Sequence, residues 1–85
     1  MKTIQDCLYH KLLLPSAFKV YAFLYLNADA NAIEVGVSEI ANELRMSKET
    51  VATAIKDLIK YGFIKVDRYR KDEFGKTLPN RYVLL

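Results

Sequence analysis

Apolar and polar residues change their spacing three times along this chain, and each change marks a boundary between elements. The run PSAFKVYAFLYLNADA contains no breaker after its proline, which the first turn of a helix tolerates, and Ser16 is able to cap it. A first helix is therefore expected over residues 16–29. Between Ala17 and Leu26 only Lys19 is polar, whereas a helix covering one side of a small core needs an apolar stripe on about half its circumference. Something must cover the surplus: the preceding arm, residues 1–14, or a second copy of the chain. That arm reads as extended or as a short helix, with Ile4, Leu8, Leu12 and Leu13 available to dock. Residues 32–35 form a short β-prone stretch ended by Gly36. A period near 3.6 then returns through Val37, Ile40, Ala41 and Leu44, predicting a second helix over 37–45. Met46 and Ser47 break it, Ser47 caps the next, and the third helix runs over 48–61 to Gly62, a residue suited to a left-handed helix end. From residue 63 onward the pattern alternates. FIKVDRYR, with Ile64 and Val66 inward, and NRYVLL, with Tyr82 and Leu84 on one face, flank a turn containing Gly75 and predict a β-hairpin over 63–85. The expected fold is α+β and mainly α: a three-helix bundle with a C-terminal β-hairpin, in one domain spanning residues 1–85.

Charge changes the picture more through its placement than its total. The net charge is only +3, yet residues 1–59 carry six Lys/Arg against seven acids, while residues 60–85 carry seven against three. The basic field sits on the hairpin. Cys7 is the single cysteine, which excludes an internal disulfide and a cysteine-based zinc site and points to a cytoplasmic setting. Asp6, His10 and Lys11 interrupt the apolar run of the first residues, so neither a signal peptide nor a membrane span is expected there. His10 has no second histidine or cysteine at ligand spacing, and no metal or cofactor is expected. Paired carboxylates, a serine-histidine-acid set and a glycine-rich phosphate loop are all missing, so the chain is expected not to be an enzyme.

The segment IANELRMSKETVATAIKDLIKYGFIKV carries the most specific signal. Ala41 is small where two helices would cross, and Val51, Ile55 and Leu58 return to one face to hold that crossing. With Ile40 and Leu44 in the second helix, Ser47 at the turn, Thr50-Val51 early in the third, and Gly62-Phe63-Ile64 entering the hairpin, the segment resembles the winged helix-turn-helix DNA-binding family. The flanks LLLPSAFKVYAFLYLNA and GKTLPNRYVLL are similar to the N-terminal domains of replication-initiation proteins of bacterial phages and plasmids, with replisome-organiser function. The resemblance covers residues 12–85. It implies a double-stranded DNA-binding module serving replication initiation or transcription control of a mobile element.

On a helical wheel the third helix turns Val51, Ala54, Ile55, Leu58 and Ile59 inward and Glu49, Thr53, Lys56 and Lys60 outward. If that helix enters the major groove, its first turns carry the contacts: Ser47, Lys48, Glu49, Thr50, Ala52, Thr53 and Lys56. Ser47, Thr50 and the first backbone N–H groups suit a phosphate, and Lys48 and Lys56 suit its neighbours. Thr53 suits a thymine methyl and Glu49 a cytosine amino group. Relatives often carry arginine where this chain has Ala52 and Thr53, which implies weaker direct base readout here. Arg68, Arg70, Lys71 and Lys76 cluster around the hairpin turn, with Arg81 on its returning strand, and suit the flanking backbone or minor groove. The alternative is a protein-interaction or dimerisation module: a homodimer through Phe18, Tyr21, Tyr25 and the N-terminal arm, or docking to replication proteins.

Overall fold

The computed structural model describes residues 2–68 and 71–85. Its architecture is α+β, in the order α1 (Ile4–Leu8), α2 (Pro15–Asn27), β1 (Ala32–Glu34), α3 (Val37–Leu44), α4 (Lys48–Lys60), β2 (Ile64–Asp67) and β3 (Arg81–Leu84). Four helices and a three-stranded antiparallel sheet are consistent with a winged helix-turn-helix.

The core forms where the apolar faces of α2 and α4 meet, the broadest contact between elements. Val20, Tyr21 and Leu24 of α2 are fully buried there, as are Val51 and Leu58 of α4. Helix α3 crosses α4 with Ile40 and Ala41 buried, and the small Ala41 side chain lets the two backbones approach. Phe63, Ile64 and Tyr82 close the core from the sheet. Ile59, expected among the inward residues of α4, is instead 37% exposed, because it lies at the margin of the buried stripe.

The sheet differs from a lone hairpin. Strand β3 is its centre, pairing with β2 (Val66 opposite Tyr82) and with β1 (Ile33 opposite Tyr82). A tight reversal brings β1 there. The first helix stops at Asn27 rather than at Asp29, since Ala28 is extended and Ala30 and Asn31 both take positive φ, 52° and 64°. Asp29 and Ala32 then exchange two backbone hydrogen bonds of 2.8 and 3.1 Å across that two-residue turn, the geometry that joins antiparallel strands. At the other end of α2 the helix begins with Pro15 in its first turn, and Leu14 occupies the cap position without a side-chain hydrogen bond, so Ser16 does not serve as the cap.

The N-terminal arm contains a short helix. Thr3 and Asp6 form a reciprocal cap: the Thr3 hydroxyl accepts from the Asp6 N–H at 3.2 Å, and the Asp6 carboxylate accepts from the Thr3 N–H at 2.8 Å. Helix α1 lays Cys7 into the core beside α2, and the Lys2 N–H donates to the Leu85 carbonyl at 3.0 Å, tying the arm to the end of β3. The arm therefore covers part of the apolar surplus of α2. It makes Tyr21 an interior residue with no exposed surface, which removes Tyr21 from any contact between two copies. Tyr25 and Leu26 stay uncovered, 44% and 76% exposed.

Candidate nucleic-acid interface

Two surfaces carry the candidate residues: the outer side of α4 and the loop between β2 and β3. Ser47 sets the first. Its backbone is extended (φ −72°, ψ 154°), and its hydroxyl accepts from the Thr50 N–H at 3.1 Å while lying 2.7 Å from the Thr50 hydroxyl. This is an N-cap that leaves the Lys48 and Glu49 N–H groups at the positive end of the helix without intrahelical partners. The hydroxyls of Ser47 and Thr50, expected to meet a phosphate, are thus bonded to each other, and the bare N–H groups are the donors that remain.

Beyond the cap, Lys48, Glu49, Ala52, Thr53 and Lys56 are all exposed on the side of α4 that does not face α2 or α3. Neither Lys48 nor Lys56 is held in an ion pair among the described residues. The far end of the helix is fastened by backbone geometry. Gly62 has φ 79°, its N–H reaches the Ile59 carbonyl at 3.1 Å, and the Phe63 N–H reaches the Leu58 carbonyl at 2.9 Å. With Leu58 and Phe63 both buried, the stop of α4 and the start of β2 are one rigid joint.

The turn between α3 and α4 holds two residues that sequence reasoning passed over. Arg45 takes a left-handed conformation (φ 55°, ψ 48°) where many chains would place glycine, and its N–H reaches back to the carbonyls of α3. From α2, the Lys19 ammonium donates to the Leu44 carbonyl at 3.1 Å, satisfying a helix-end acceptor at the negative pole of α3. Lys19 had been visible only as the one polar residue in an apolar helix.

The loop is built by Asp72. One carboxylate oxygen accepts from the N–H groups of Phe74 and Lys76, each at 2.9 Å, while the Asp72 N–H donates to the Lys76 carbonyl and its carbonyl accepts from Gly75, whose φ is 77°. Lys71 and Thr77 bridge just behind this turn, in the register set by Asp67 and Arg81 at the sheet. Arg68, Lys71 and Lys76 are exposed there; Arg70 lies outside the described residues. Arg81 belongs to the sheet rather than the tip: its guanidinium pairs with Asp67 at 3.6 Å across β2 and β3. Phe74, not counted among the candidates, is the most exposed large apolar residue described, at 86%.

Other reactive groups are occupied in packing. The His10 ring packs at a tilt 4.7 Å from Tyr61 and edge-on 5.7 Å from Phe63, and burial pushes the Cys7 thiol up to about 11, which keeps it in the unreactive protonated form. Among the described residues no cluster of three metal-ligating side chains occurs, and no helix is long and apolar enough to cross a membrane.

This arrangement, a short helix crossed by a longer capped helix with a left-handed turn between them, defines a helix-turn-helix. The sequence model of the helix-turn-helix domain family matches residues 11–64, from the end of the arm to the first residue of β2. The match spans more than half of the chain's 85 residues, and the chain belongs to that family. No curated protein and no solved structure matches it. The loop between β2 and β3 lies outside the matched segment.

Proposed function

We propose that this chain binds double-stranded DNA, with the outer side of α4 in the major groove and the β2–β3 loop acting as a wing on the flanking backbone, and that it catalyses no reaction. The observation carrying this reading is the outer face of α4. In a helix packed tightly enough to bury Val51 and Leu58 completely, the opposite side presents two free lysines, two bare N–H donors and the small residues Ala52 and Thr53 to solvent. Lys48, the N-terminal donors and Lys56 position the helix on phosphates; Thr53 and Glu49 reach base edges. The flanking sequences, similar to initiator domains of phages and plasmids, support a place in replication initiation or in transcription control of a mobile element, within the cytoplasm.

Counterion release gives the reading a quantitative test. With about five cations from α4 and the wing on phosphates, log affinity falls with log salt at a slope of about −4.5. Fluorescence-anisotropy titration of a random-sequence duplex at two salt concentrations measures it, and an absence of salt-sensitive binding at low salt defeats the proposal. Replacing Lys71 by alanine should lower the slope by about one unit.

A second reading, a protein-interaction or dimerisation module, is favoured by a different observation. Leu8, Tyr9, Leu12 and Leu14 on the arm are 52%, 76%, 67% and 58% exposed, and Tyr25 and Leu26 on α2 add to the uncovered apolar surface. Sedimentation of the free protein distinguishes the two: a strict monomer at high concentration rules out self-association through these residues.

A further inference from the structure

Phe74 is an exposed apolar side chain on a turn whose backbone is fixed by local hydrogen bonds. Here the Phe74 N–H is fastened to the Asp72 carboxylate at 2.9 Å, the Lys76 N–H is fastened to the same oxygen, and Gly75 supplies the positive φ (77°) that closes the turn. The ring stands at the apex of the ribbon, 86% exposed. The Lys71–Thr77 bridge keeps the register of Asp67 and Arg81, and the apex lies beyond the end of the sheet.

We infer that Phe74 is a minor-groove wedge: with α4 seated in the major groove, the wing brings its phenyl ring against a base step in the adjoining minor groove. This rests on the DNA-binding reading above. The minor groove is about 6 Å wide, too narrow for a two-stranded ribbon but open to a single flat side chain at its apex. Lys71 and Lys76 are exposed on the two sides of the turn that carries the ring, where the phosphates on either side of that groove would lie. Asp72, two residues before the ring, accepts two backbone N–H groups, so its charge is directed into the turn. Glu73 is exposed at the apex and opposes phosphate; the wedge therefore predicts that Glu73→Gln binds duplex more tightly than the natural chain.

The chain contains no tryptophan, so Phe74→Trp introduces a single indole reporter at the apex. Titrating this variant with duplex should quench its emission as the ring stacks on a base, in step with the anisotropy change. Phe74→Ala should weaken duplex binding about tenfold without altering the salt slope, because no phosphate contact is lost. The exposed position keeps either variant folded, which a thermal melt checks. An indole emission unchanged at saturating duplex, together with natural affinity in Phe74→Ala, overturns the wedge while leaving the DNA-binding reading intact. A change in sedimentation of Phe74→Ala at unchanged duplex affinity overturns it in favour of a contact between copies. Failure of the natural chain to bind any duplex defeats both readings at once.

Discussion

Helix α4 and the wing are the two surfaces offered to a partner, and they are held in place by opposite means. Four residues of α4 (Val51, Ala54, Ile55 and Leu58) are buried against α2, α3 and the sheet, so the outer face is placed by the core of the whole domain. None of the described residues from 68 to 80 is buried; the wing tip takes its shape from one carboxylate and one glycine. A face placed by packing is as stable as the fold. A face placed by local hydrogen bonds opens independently of it.

The largest test of this contrast is Leu58→Ala. Leu58 is fully buried and sits at the joint where α4 hands over to Phe63, so its truncation should cost about 3 kcal/mol and lower the melting temperature by roughly 12–24 °C. A drop of only a few degrees in a circular-dichroism melt would mean that the core does not position α4. Asp72→Ala is the counterpart in the wing. It should leave global stability within about 0.5 kcal/mol of the natural chain, while the amide protons of Phe74 and Lys76 exchange faster with solvent. A cooperative loss of stability in that variant would show that the wing is part of the core unit after all.

The smallest effect sharpens the comparison at the turn that joins α3 to α4. A left-handed non-glycine residue costs roughly 1 kcal/mol, an amount partly offset on substitution by the greater freedom of glycine in the unfolded chain. Arg45→Gly should therefore be neutral or stabilising by less than about 1 kcal/mol, whereas Arg45→Val, β-branched and ill-suited to φ 55°, should destabilise. Equal melting temperatures for the two variants would show that the turn does not impose this backbone conformation.

Much of the helix-turn-helix was legible because its signals are local. Ser47 before a periodic run and Gly62 after it mark α4 at both ends, and the spacing of Ile40, Ala41, Leu44, Val51, Ile55 and Leu58 describes a crossing of two helices. The end of α2 was not legible in the same way. Ala30 and Asn31 adopt positive φ without a glycine to announce it, and what compensates their strain is the pairing of β1 with β3, some fifty residues later in the chain. The candidate site divides similarly. Lys48, Thr53 and Lys56 follow from helical periodicity, but Lys19 is a helix-end donor only because α2 passes the end of α3. Phe74 would have been found by asking why an aromatic residue precedes glycine in a charged turn.

By itself the sequence determined the element types beyond the arm, the inward face of α4 apart from Ile59, and the basic character of the hairpin, since these depend on hydrophobic periodicity, capping residues and charge placement within short windows. Tertiary structure alone decided that β3 is the central strand, that the arm buries Tyr21 while leaving Tyr25 and Leu26 uncovered, and that Arg81 pairs with Asp67 on the sheet. Each of those outcomes is a contact between segments far apart in the chain, and which contacts form is set by the surface left over once the local elements have packed.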